Sequence, residues 1–257
     1  MSVKMLDLDI AKDLTLLVNT NSACSDIWEM FTTQLQKHFN LSNIDVTLLT
    51  DDITFEKHFD EHVNLTISLY NNSLTFREQY LGALVTARKY VFHLNDDYIA
   101  YADFDVTEIE KAIKNLENND ISFVKFVRTK YDYIPSVIDD NYFHVNSYVY
   151  TQQPCIWKRD VLFNLYKDAP NTGSIGVKGD TIGHTEEHVN QVAINKKIKG
   201  VVLYKQEKKR GESHYNCSSV PLVLSALVRG KWNISEYPEL SNLLEMYKID
   251  KNVRGTR

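Results

Sequence analysis

Asn95, Asp96 and Asp97 follow an apolar run, Tyr90-Val91-Phe92-His93-Leu94. The run reads as a buried strand, and two adjacent carboxylates at its mouth repel each other the more as they leave water. Either the pair is structural, ending the strand in solvent, or a cation sits beside it. A hard divalent ion suits the second case, since it takes one or two carboxylates and completes its shell with water and substrate phosphates. A second acidic pair, Glu186-Glu187, stands in "GHTEEHVNQ" at the start of a helical pattern. A carboxylate there can take a proton from a hydroxyl, or simply complement the helix dipole. Lys208, Lys209, Arg210 and His214 in "EKKRGESHYN" form a basic segment, either a loop that closes over a phosphate or a solvated charge run.

The elements that must position these groups alternate in type. Apolar runs at Leu14–Val18, Ile44–Leu49, Leu65–Leu69, Tyr90–Leu94 and Ile121–Val127 predict strands. Amphipathic patterns at Ile27–Phe39, Leu74–Ala87 and Val106–Leu116 predict helices between them. The chain from Gln152 reads as a turn into a helix over Lys158–Tyr166, and another helix is expected from about Thr185 to Ile194. This order implies an α/β fold with a mainly parallel sheet covered by helices. Polar residues collect after strand ends, at Asn19 to Asn21, Asp51 with Asp52, and Asn95 to Asp97, where open α/β sheets bind ligands. The segment after Val220 is expected to end in short helices packed on the core.

The chain has 257 residues, 43% hydrophobic and 25% charged, with a net charge of −5. That suits one large domain with a sizeable core, and gives no global attraction to nucleic acid or anionic membrane. No apolar run is long enough for a membrane helix. The first residues carry acids where a signal peptide needs an apolar stretch, so a cytoplasmic protein is expected. Three widely spaced cysteines, Cys24, Cys155 and Cys217, suggest neither a disulfide framework nor a zinc site.

"VFHLNDDY", preceded by the helix "LTFREQYLGALVTA", resembles the acidic signature of the GT-A nucleotide-sugar glycosyltransferases, family 2-like. The resemblance covers about residues 12 to 215. It implies a GT-A-like, Rossmann-type catalytic domain over 1-219, with a nucleotide-sugar half at about 12-105 and an acceptor half at about 106-219. Residues 220-257 would form a C-terminal helical extension. It further implies Mn²⁺ or Mg²⁺ held by Asp97, with His214 as a further ligand. Asn95 departs from the acidic triplet and would face the ribose or sugar beside Asp96. Thr20, Asn21 and Asp51 would lie near the base, and Arg77, Lys209 and Arg210 near the diphosphate. Gln153 and Trp157 would line an acceptor pocket, although a tryptophan in such a run equally suits a core. By the same resemblance Glu187, or else Glu186, is the base of an inverting transfer from a UDP-sugar to a glycan or small molecule rather than DNA.

Three other readings stay open. A nucleotidyltransferase would want a glycine-rich basic loop after the first strand, which "NTNSACSD" is not. A glycoside hydrolase would use Asp97 and Glu187 as a carboxylate pair. A carbohydrate-binding or virion-type module could keep the fold without turnover.

Overall fold

The computed structural model describes residues 4–132, 134–171, 182–210 and 214–257. Strands β1 (Leu14–Asn19), β2 (Asp45–Thr50), β3 (Asn64–Leu69) and β4 (Tyr90–Asn95) are joined by helices or short helical turns, so they pair in parallel. Two-residue β5 (Ile99–Ala100) follows the acidic motif. Strands β6 (Phe123–Lys125), β7 (Ile134–Pro135), β8 (Tyr142–His144), β9 (Cys155–Lys158) and β10 (Gly200–Leu203) complete a nine-stranded sheet without β5, in the order β3-β2-β1-β4-β9-β6-β10-β8-β7.

The sheet is mixed. Strand β9 runs antiparallel between β4 and β6, and β8 antiparallel to both β10 and β7. The turn expected from Gln152 is thus confined to Gln152–Pro154, and Cys155–Lys158 is a central strand. The helices are α1 (Leu8–Ala11), α2 (Trp28–His38), α3 (Phe76–Thr86), α4 (Val106–Asn118), α5 (Arg159–Asp168), α6 (Ile182–Asn195), α7 (Glu239–Met246) and α8 (Lys251–Arg254).

Side-chain alternation along each strand feeds two apolar layers. Leu16, Val18, Phe92 and Leu94 meet Phe31 and Leu35 of α2 and Ile109 and Ile113 of α4. Leu17, Val91 and Trp157 meet Tyr80 of α3, Leu162 and Tyr166 of α5 and Val189 of α6. Helix α3 starts on a capping box, Thr75 with Glu78, and α4 on the Asp105 carboxylate, which accepts from the Glu108 N–H; each cap satisfies otherwise orphaned amides. Among the described residues no helix is long and apolar enough to cross a membrane.

The segment after Val220 is more than helices. Strand β11 (Lys209–Arg210) pairs with β12 (His214–Tyr215), and β13 (Leu222–Val223) pairs with β5. Strands β14 (Leu227–Val228) and β15 (Lys231–Trp232) form a hairpin that turns at Gly230, whose φ of +76° suits glycine. Val220, Leu222, Val223 and Trp232 are buried in the α2–α4 layer. The C-terminal segment is thus built across the strand end that carries the acidic motif.

Candidate functional site

Parallel register puts Asn19 opposite Asn95, so β1 and β4 end at one level. The chain then turns on the Asp96 N–H to Asn19 carbonyl bond, 3.1 Å. Asp96 points inward and is buried. Its carboxylate accepts from the Thr20 hydroxyl, which in turn accepts from Trp28 Nε1 at 2.7 Å. Asn95 Oδ1 takes bonds from Asn19 Nδ2 at 3.3 Å and His93 Nε2 at 3.2 Å. An amide fills this acceptor role without adding a third negative charge to the pair.

Asp97 lies differently. No side chain among the described residues hydrogen-bonds its carboxylate, which is approached by its own backbone N–H and that of Leu227. Burial, then the charge of Asp96, pushes its carboxyl well above the usual carboxylate range. Burial raises Asp96 as well, against the Thr20 and Trp28 bonds that lower it. Two adjacent carboxylates held this way disfavour being charged together.

The open side is a cleft of about 650 Å³, within the range of small-molecule sites. It is lined by Asn19, Asn95 and Asp97 at the strand ends, by Phe76 and Gln79 of α3, and by Leu227, Gly230 and Arg254 of the C-terminal segment. Cys24 also lines it, with its thiol pushed up to about 12, chiefly by burial, so it stays a thiol at neutral pH.

Beyond Asp97 a hydrogen-bonded bridge leads to the second acidic pair. Tyr98 OH donates to the Gln152 carbonyl at 2.9 Å. The Gln152 N–H donates to Glu186 Oε1 at 2.8 Å, and its Nε2 to Tyr150 OH at 2.7 Å and Tyr166 OH at 3.1 Å. Glu186 is half-buried, and burial raises its carboxyl above the usual range. Glu187, one position along α6, is exposed.

No protein-family model matches the chain, and no curated protein does. Solved structures do. TarS 1-349 of S. aureus is 12% identical, with a TM-score of 0.50 over 94% of this chain and 68% of that one. The fold is GT-A-like. The mannosyltransferase PcManGT of Pyrobaculum calidifontis, in complex with GDP-Man and Mn²⁺, is 14% identical, with a TM-score of 0.49 over 82% of this chain and 62% of that one. A CMP:2-keto-3-deoxy-manno-octonic acid synthetase complexed with CTP is 9% identical, with a TM-score of 0.46 over 75% and 90%.

On this GT-A-like frame the predicted residues divide into two groups. Thr20, Asn21, Asn95, Asp96 and Asp97 meet at the cleft. Asp51 sits beside it and holds the β1 loop, accepting from the Ser22 N–H at 2.7 Å and Ser22 Oγ at 2.8 Å. Arg77 turns away and donates from Nε to the Tyr166 carbonyl at 2.7 Å, and from Nη2 to Lys167 at 2.5 Å, at the end of α5. Arg210 is ion-paired with Glu239 and lies over the Tyr237 ring at 4.4 Å. Lys209 beside it is exposed.

His214 Nε2 is engaged by Tyr237 OH at 2.8 Å and Glu236 at 3.3 Å. Trp157 does not face an acceptor: it is 1% exposed, on the central strand, stacked on Phe123 at 4.3 Å between centroids. Gln153 is partly exposed, while its buried neighbour Gln152 carries the bridge. Gln152 and Arg254 were not singled out by the sequence: one is masked by its twin, and the other lies far along the chain from the motif it faces.

Among the described residues no three His, Cys, Asp or Glu side chains are grouped to hold a metal ion. The donor set still fits a hard divalent cation in one way. Asp97 offers a carboxylate without a side-chain partner, and such ions accept one protein carboxylate when phosphate and water supply the rest.

Proposed function

We propose that the chain is a glycosyltransferase that moves a sugar from a nucleoside-diphosphate sugar, a UDP-sugar in the first instance, to an acceptor hydroxyl with inversion. The observation that carries this reading is the cleft at the ends of β1 and β4, lined by an Asp97 carboxylate that no side chain among the described residues hydrogen-bonds. Asn95 and Asn21 offer neutral hydrogen-bonding groups to ribose and base there.

Glu186 replaces Glu187 as the better-placed base, since it faces inward, is fixed by Gln152, and is more basic than an exposed glutamate. It takes the acceptor proton as the hydroxyl oxygen attacks the anomeric carbon. The bond from that carbon to the diphosphate oxygen breaks on the opposite face, and the leaving diphosphate keeps the electron pair. Mn²⁺ or Mg²⁺ held by Asp97 would supply positive charge at the departing phosphate. The acceptor side, around Tyr98, Gln152 and Glu186, suits a glycan or small molecule.

A thermal-shift screen of UDP, GDP, CDP and TDP, each with and without Mn²⁺, tests the reading. A ligand at about a hundred times its Kd adds roughly 2.7 kcal/mol to stability. One diphosphate is expected to raise the Tm by several degrees in the presence of metal, and Asp97→Ala to abolish the metal-dependent part. No shift with any nucleotide at millimolar concentration would overturn the transferase and favour a hydrolase or binding module.

A further inference from the structure

The cleft has an unbalanced charge inventory. Its lining contains two carboxylates, Asp96 and Asp97, and one cation, Arg254. A nucleoside diphosphate brings more than one further negative charge, so its binding needs cations. Both arginines singled out from the sequence are spent elsewhere, Arg77 on the α5 carbonyls and Arg210 on Glu239, while Lys208 and Lys209 are exposed and do not line the cleft. Arg254 is different. Its Nε donates to Asp26 Oδ2 at 2.6 Å, and its Nη2 to Asp26 Oδ1 and to the Ala23 carbonyl, the latter at 2.9 Å. That uses three of the five guanidinium donors. The two on Nη1 have no partner among the described residues. The Arg254 side chain is 18% exposed and that of Asp26 41%, so solvent reaches the bidentate pair from the Asp26 side.

We propose that Arg254 binds the diphosphate of the donor, and that Asp26 is the carboxylate that holds the guanidinium until the phosphate takes it over. This rests on the reading of the cleft as a nucleotide site, and it assigns the phosphate-binding cation to the C-terminal segment rather than to the basic loop. Phosphate matches the guanidinium fork, and Ala23 and Trp232, whose ring lies 6.0 Å away, keep the side chain over the cleft when Asp26 lets go.

Calorimetric titration of the full chain with UDP and GDP, both with Mn²⁺, and with uridine and guanosine as phosphate-free controls, tests the assignment. Arg254→Gln is expected to weaken the diphosphate about tenfold to a hundredfold and leave the nucleoside unchanged. Asp26→Asn, which removes the competitor, is expected to tighten the diphosphate several-fold and steepen its salt dependence. Undiminished diphosphate binding in Arg254→Gln, or an equal loss of nucleoside and diphosphate, overturns the assignment alone. Weaker binding in Asp26→Asn does the same, because it marks the pair as a strut for the cleft wall. If the unaltered protein binds no nucleotide, the donor-site reading falls and the assignment falls with it.

Discussion

Glu186 and Glu187 are the same residue type one position apart, and their surroundings assign them different work. One α6 position rotates the side chain by about a quarter turn or more, from the half-buried bridge at Gln152 to open solvent. Glu186→Gln is expected to slow sugar transfer about 10²- to 10⁴-fold while diphosphate affinity stays unchanged. Glu187→Gln is expected to stay within a few-fold, and steady-state rates beside nucleotide titrations check both. The phase of the pair is set by Val189 and Ala193, whose buried positions three to four residues on put Thr185 and Glu186 on the inner side of α6 and leave Glu187 outside. The strand-end cluster was legible for a different reason. A five-residue apolar run can hardly be anything but buried, so Asn95 to Asp97 had to stand at its mouth.

The element least visible in the sequence is the strand Cys155–Lys158. It has four residues, starts after Pro154 and passes straight into α5, so period-two alternation has no length in which to show. Its place between β4 and β6 puts antiparallel pairs inside a sheet expected to be mainly parallel. It also removes Trp157 from any sugar-binding role. Packed on Phe123 and Tyr150, Trp157 acts on stability. Trp157→Ala is expected to cost about 3–5 kcal/mol, read as a lower urea midpoint, with acceptor KM unaffected in the protein that remains folded. The strands and helices of the first half were legible because each is long enough to display its period. The C-terminal strands β13 to β15 were not, being two residues each and paired with partners the sequence does not announce.

At the scale of the whole molecule, His93 links stability to pH. Buried in β4, with Tyr80 on Nδ1 and Asn95 on Nε2, its imidazole is pushed down to about 4 by burial. An unfolded histidine titrates near 6.5, so between about pH 6.5 and 4 the unfolded chain holds a proton that the folded protein does not. The contribution is therefore complete above pH 6.5 and is lost as pH falls toward 4, about 3 kcal/mol in all. Asp96 and Asp97, raised by burial, act in the opposite sense. The readout is the difference between urea unfolding of His93→Gln and of the unaltered chain across this window, with the variant losing less on acidification. The cleft reaches further: the Ala226 N–H donates to the Asp97 carbonyl at 2.9 Å, and Asn19 and Arg254 both line it. The cleft is then a non-local feature of this molecule, since it requires segments more than two hundred residues apart to have met. During refolding the sheet can bury Trp157 before the C-terminal segment docks, whereas Trp232, in β15, is buried only with that final loop closure. Burial of Trp232 thus reports completion of the cleft where burial of Trp157 does not.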